Sequence, residues 1–135
     1  MGYKMSIERF NVHLGIIVDT RKPLDVISNI IGVQQTNQFR TDTGNRWVYT
    51  KIFKGQENIN NCLQEFYASI PNLAGKINDL RQYGSCVFRI SIVSLLGQFG
   101  FTLSEFDLQF LGQFNIPLEI SILSFGQCID DTDST

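Results

Sequence analysis

The stretch FNVHLGIIVDTRKPLDVISNIIGVQQT, residues 10–36, sets the architecture. Its first half alternates. Phe10, Val12, Leu14, Ile16 and Val18 share one face, while Asn11, His13, Gly15 and Ile17 share the other. Successive side chains of a strand point to opposite sides, so this is the period of a strand buried on one face. The period then changes. Pro23 suits the first turn of a helix, where a missing N–H is harmless, and Thr20 or Lys22 falls near its cap. Leu24, Ile27, Ile30 and Ile31 recur at helical spacing, and Gly32 supplies a left-handed stop.

Downstream, residues 33–53 read as a hairpin. Thr41-Asp42-Thr43-Gly44-Asn45 is a cluster of turn formers. It separates a weak polar arm, Gln34 to Arg40, from RWVYTKIF at 46–53, whose aromatic and β-branched residues favour a strand. Asn58 is a helix cap, followed by Ile59, Cys62, Leu63, Phe66 and Ile70 on one stripe. Pro71 breaks that pattern, and a second helical arm carries Leu73, Ile77 and Leu80 up to Gly84.

Two more strands follow, Cys86 to Val93 and Ile116 to Leu123. Between them Thr102-Leu103-Ser104-Glu105 has the form of a capping box. It opens a helix with Leu103, Phe106, Phe110, Leu111 and Phe114 on its buried side.

The order is therefore β-α-(β-β)-α-β with an extra C-terminal α-β unit. It predicts an α+β fold: a ferredoxin-like, mainly antiparallel sheet with helices on one face and an added helix-strand unit. Parallel strands covered on both sides would instead read as unbroken apolar runs.

With 135 residues, 43% of them hydrophobic, the chain is expected to form one domain over 1–135, with a frayed acidic tail at about 129–135. A net charge of -2 gives no bulk attraction to nucleic acid or to anionic membranes. Cys62, Cys86 and Cys128 are odd in number and lack metal-ligand spacing, which points to reduced thiols. The start MGYKMSIERF has no apolar leader core, and no run approaches the ~20 apolar residues of a membrane span. A cytoplasmic protein is the expectation.

Three segments carry a resemblance to a known family: PLDVISNIIGVQQT at 23–36, NRWVYT at 45–50, and GFTLSEFDLQFLGQFNIPLEISI at 100–122. Together they resemble the uncharacterised, mainly bacterial family called domain of unknown function 4279, from about Phe10 to Ile122. One departure is Gln35-Thr36, where that family has a Pro-Thr pair. The resemblance implies architecture and brings no activity with it.

The residues offer little chemistry. His13 is the only histidine, and no nucleophile elbow, Walker loop or dinucleotide fingerprint occurs. Gly97-Gln98-Phe99-Gly100 is a lone GxxG without basic neighbours and reads as a turn. Asp25 and Glu105 fall in first helical turns, where a carboxylate suits the dipole. No catalytic residue, metal or cofactor is expected.

One constellation stands out. If helices cover the Phe10/Val12/Leu14 face, the opposite face presents His13, Asn11, Arg89, Ser91, Glu119 and Ser121. Trp47, Tyr49 and Lys51 share a parity and either join that face or pack inward, leaving Val48 and Ile52 outside. His13, Trp47, Tyr49, Arg89 and Glu119 are thus the candidate partner-binding residues, since aromatics and Arg anchor interfaces.

The expected function is a non-catalytic protein-interaction module, immunity-type or regulatory, using the open sheet face or an edge. Single-stranded nucleic-acid binding, with Trp47 and Tyr49 stacking on bases, is the alternative that the acidic balance disfavours, alongside a small-ligand protein or an enzyme using His13 or Glu119. The apolar final strand would pair with a twin to form a homodimer if it lay at an edge.

Overall fold

In the computed structural model, which describes residues 10–42, 44–55, 58–96 and 100–127, the alternating stretch becomes the central strand of a five-stranded sheet. The strands are β1 (Phe10–Thr20), β2 (Asn37–Thr41), β3 (Gly44–Lys54), β4 (Gly84–Leu96) and β5 (Leu118–Gln127). The described helices are α1 (Leu24–Ile31), α2 (Ile59–Ser69), α3 (Leu73–Leu80) and α4 (Glu105–Phe114). The expected turn at 97–99 and the acidic tail lie outside the described residues, as does Cys128.

The strand order is β2-β3-β1-β4-β5. β1 runs antiparallel to both β3 and β4, and β2 antiparallel to β3. β5 runs parallel to β4, so the α+β sheet is mixed. The cause is the α4 connection, because parallel neighbours need a crossover where a hairpin would make them antiparallel.

Local chemistry explains the helix ends. Gly32 adopts φ 90° after α1, and its N–H donates to the Ser28 carbonyl at 2.7 Å. Asn58 Oδ1 accepts from the Asn61 N–H at 3.1 Å and caps α2. Ile70 turns extended, Pro71 follows, and α3 begins two residues later at Leu73.

The cap of α4 falls two residues beyond the expected one. Ser104 Oγ accepts from the Asp107 N–H at 3.1 Å and donates to Asp107 Oδ2 at 2.9 Å. Thr102 stays outside the helix. The overlapping Ser104-x-x-Asp107 pattern prevails because it is anchored from α2, where Asn60 Oδ1 accepts from the Ser104 N–H at 3.1 Å. Phe106, expected inside, is instead 56% exposed.

All four helices contribute to one core beneath the Phe10/Val12/Leu14 face. Val12, Leu14, Ile16 and Val18 pack with Ile27 and Ile31 of α1, Leu63 and Phe66 of α2, Ile77 and Leu80 of α3, and Leu111 and Phe114 of α4. Each such side chain, fully buried, contributes roughly 1.5–3 kcal/mol. Aromatic rings link the elements: Phe66 meets Phe88 edge-on at 5.5 Å, and Phe88 lies 5.6 Å from Phe114. At the far end of β1, Thr20 Oγ1 donates to the Tyr83 carbonyl at 2.7 Å. The chain passes so closely there that a Cβ on Gly84 would stand 2.0 Å from the Asp19 carbonyl oxygen.

Candidate functional site

Cross-strand register builds the face opposite the helices row by row. Ile52, His13, Ser91 and Ser121 form one row, and Thr50, Gly15, Arg89 and Glu119 the next. Directly opposed residues of neighbouring strands share a face. His13, Arg89 and Glu119 therefore come together, as the sequence leads one to expect.

Trp47 and Tyr49 do not join them, which corrects the expected constellation. They oppose Val18 and Ile16 in the register and so face the helices. Trp47 is completely buried, and its Nε1 donates to Ser28 Oγ of α1 at 2.9 Å. The register against β1, with Val18 opposite Trp47 and Ile17 opposite Val48, fixes this parity and turns Val48 and Ile52 outward. Burial of the indole with its N–H satisfied makes the inward arrangement favourable.

What remains on the open face is largely self-satisfied. Arg89 Nε donates to Glu119 Oε1 at 2.5 Å. Arg46 forks onto Asp19 at 2.8 and 3.1 Å, which raises the guanidinium pKa further. Half-exposed pairs of this kind contribute about 0–1 kcal/mol. Ile17 and Val48 are buried on this face, apart from the main core. His13 is half-buried, and the loss of solvent lowers its pKa below 6.5, so the imidazole is neutral at neutral pH.

The thiols lie across the sheet from that histidine. Cys86 opposes Val18 on the helix side, and Cys62 lies in α2. Burial pushes each up to about 11, which keeps both protonated and unreactive. The described residues contain no group of three or more His, Cys, Asp or Glu placed to hold a metal ion. An open hollow of about 360 Å³ lies beside α1 and β2, lined by Leu24, Asp25, Gln35, Phe39, Arg40 and Asn45.

The sheet edge formed by β5 is different in kind. Leu118, Ile120 and Ile122 extend the helix-side rows of Phe88, Ile90 and Ile92, yet the helical layer leaves them uncovered. Leu123 continues the opposite face beside Val93, and Phe125 follows it. These five side chains are 39–57% exposed, whereas the β4 residues Phe88, Ile90 and Ile92 are buried. The other edge, β2, reads NQFRT and is polar apart from Phe39.

Among the described residues the main chain of β5 from Leu118 to Ile122 is open at its outer edge as well. The Phe88 N–H donates to the Pro117 carbonyl at 3.0 Å, with Phe88 opposite Leu118. In a parallel ladder the same parity then bonds to β4 throughout, so Leu118, Ile120 and Ile122 direct their N–H and C=O groups to the free edge. Among the described residues no strand pairs with that edge.

Sequence reasoning left these side chains out of the candidate site. The available signal was LEISILSF at 118–125, which is apolar on both parities although it ends the pattern of strands.

Compared with known proteins, the chain matches no family model, no curated protein and no solved structure. The likeness to domain of unknown function 4279 thus rests on the three segments quoted above. No described helix is long and apolar enough to cross a membrane.

Proposed function

We propose that this chain is a non-catalytic protein-interaction module, immunity-type or regulatory, that holds a protein partner along β5. The observation that carries the reading is a strand edge with which no strand pairs among the described residues, together with half-exposed Leu118, Ile120, Ile122, Leu123 and Phe125. Strand addition takes its affinity from main-chain hydrogen bonds and its selectivity from alternate side chains, and β5 presents both. Exposed apolar edges are otherwise a liability that folds blunt with charge or proline.

The frame belongs to the same proposal. The order β2-β3-β1-β4 supports a ferredoxin-like unit to which α4 and β5 are appended. Membership of the domain of unknown function 4279 family is part of the same proposal and rests on the three segments quoted above. Free, buried Cys62 and Cys86 fit a reducing bacterial cytoplasm. Base stacking on Trp47 and Tyr49 loses its support, because both rings face the helices.

The test is affinity capture with the tagged full chain and with Ile122→Lys. Stoichiometric retention of a protein, whether foreign or a second copy, should be lost in the variant while its melting temperature stays unchanged. Equal retention by both chains, or none by either, overturns the reading.

A further inference from the structure

We infer that the occupant of β5 is a second copy of this chain, paired antiparallel about a two-fold axis through Ile120. The inference rests on the edge-binding reading above and names its partner.

Geometry selects the strand direction and the register. Leu118, Ile120 and Ile122 carry the outward main-chain groups, so an antiparallel partner must oppose them with residues that also point outward. A copy of β5 does so whenever even-numbered residues face even-numbered ones. Setting Ile120 opposite its own counterpart also sets Leu118 opposite Ile122, twice over by symmetry. Three opposed pairs exchange about six main-chain hydrogen bonds.

The side chains agree with that register. On the helix side it matches apolar with apolar at every pair. On the other side Glu119, held by Arg89, meets Ser121 of the other copy. Shifting the axis to Glu119 would oppose two like charges, which is unfavourable. Shifting it to Ser121 would set Leu118 against Ser124 and Glu119 against Leu123.

The two-fold lies perpendicular to the sheet, so the two sheets continue into one another with both helical layers on the same side. Leu118, Ile120 and Ile122 of each copy then pack side by side with those of the other along the seam. Those three half-exposed side chains offer on the order of 250 Å² of apolar area per copy, about a third of the ~800 Å² per partner in a standard interface.

The experiment is equilibrium sedimentation of the full chain, wild type and Ile120→Lys, with circular dichroism of each. Alongside it, Ile120→Cys in a Cys128→Ser background is oxidised. Opposed hydrogen-bonded residues have Cα atoms about 5.5 Å apart, inside the disulfide window. The expected result is twice the 15.4 kDa chain mass for wild type, monomer for Ile120→Lys with an unchanged spectrum, and a covalent dimer of Ile120→Cys.

A monomeric wild type overturns the self-pairing. It leaves the edge-binding reading standing if a foreign protein is still captured by wild type and lost by Ile122→Lys. A dimer that persists in a folded Ile120→Lys overturns it too, since another surface must then be used. Should Ile120→Lys fail to fold, absence of the Ile120→Cys cross-link is the overturning result.

Discussion

The indole nitrogen of Trp47 donates to the Ser28 hydroxyl at 2.9 Å, and this bond fastens the sheet to α1 inside the core. Ser28 Oγ donates onward to Gln35 Oε1 at 2.8 Å, and Gln35 Nε2 to Gln38 Oε1 at 3.2 Å. A polar thread therefore runs from the sealed interior to the hairpin surface. Ser28→Ala leaves the buried indole N–H without its acceptor, a loss of about 1–3 kcal/mol. Gln38→Ala, at the wet end, should stay within about 0.5 kcal/mol. Urea unfolding of both variants checks the contrast, and equal effects would show that depth is irrelevant to this thread.

At the start of α4, Ser104 both caps the helix and gives the buried Asp107 carboxylate its hydrogen bond. Asp107 is fully buried, and its other oxygen, Oδ1, has no partner among the described residues. Ser104→Ala should cost about 1–2 kcal/mol, at the upper end for a lost cap. A double-mutant cycle with Asp107→Ala should show coupling of about 0.5 kcal/mol or more, because each change removes the other's partner. Strict additivity would dismiss the link.

The buried thiols give a signature at high pH. Cys62 and Cys86 ionise at about 11 when folded, against 9.0 for an ordinary thiol. The fold favours the neutral form. Its contribution is complete below pH 9.0 and is lost as pH rises towards about 11. Unfolding free energy should fall through that window, and less steeply in Cys86→Ala once its own offset is subtracted. At pH 8, thiol reagents should label both residues only as fast as the chain opens. Rapid labelling of the native protein would contradict their enclosure.

His13 acts at the opposite end of the scale. Its pKa is lowered from 6.5 by loss of solvent, so the unfolded chain takes up the proton first as pH falls. The fold is least penalised above pH 6.5, and stability is lost as pH drops from 6.5 through the lower folded value. His13→Gln should flatten the stability profile below pH 6.5 relative to wild type. Proton NMR titration of the single imidazole gives the folded value directly, and a value above 6.5 would reverse the sign.

Much of this architecture was legible in period alone. β1 declared its buried face through Phe10, Val12, Leu14, Ile16 and Val18, and α1 announced both its ends through Pro23 and Gly32. The weak arm at 37–41 proved to be an edge strand because it offers nothing apolar to a second neighbour except Phe39. Less could be read where two answers share one pattern. Trp47 and Tyr49 have a parity, but which side it faces depends on the register of β3 against β1, which composition does not encode. Thr102 and Ser104 both suit a cap, and a hydrogen bond that the Ser104 N–H donates to Asn60, remote in sequence, selects the second. The exposure of β5 was hidden for a similar reason. Alternation shows that Ile120 and Ile122 could be covered, and only the sideways reach of the helical layer determines that they are not.

Trp47 is the one tryptophan in the chain. Its fluorescence is consequently a built-in gauge of a single seam, where α1 meets β3. A denaturant or substitution that admits solvent there will move the emission to longer wavelength. Association along β5, three strands away across β1 and β4, will leave the colour of that light as it was. One cuvette measurement can thus tell loosening of the interior from events at the rim.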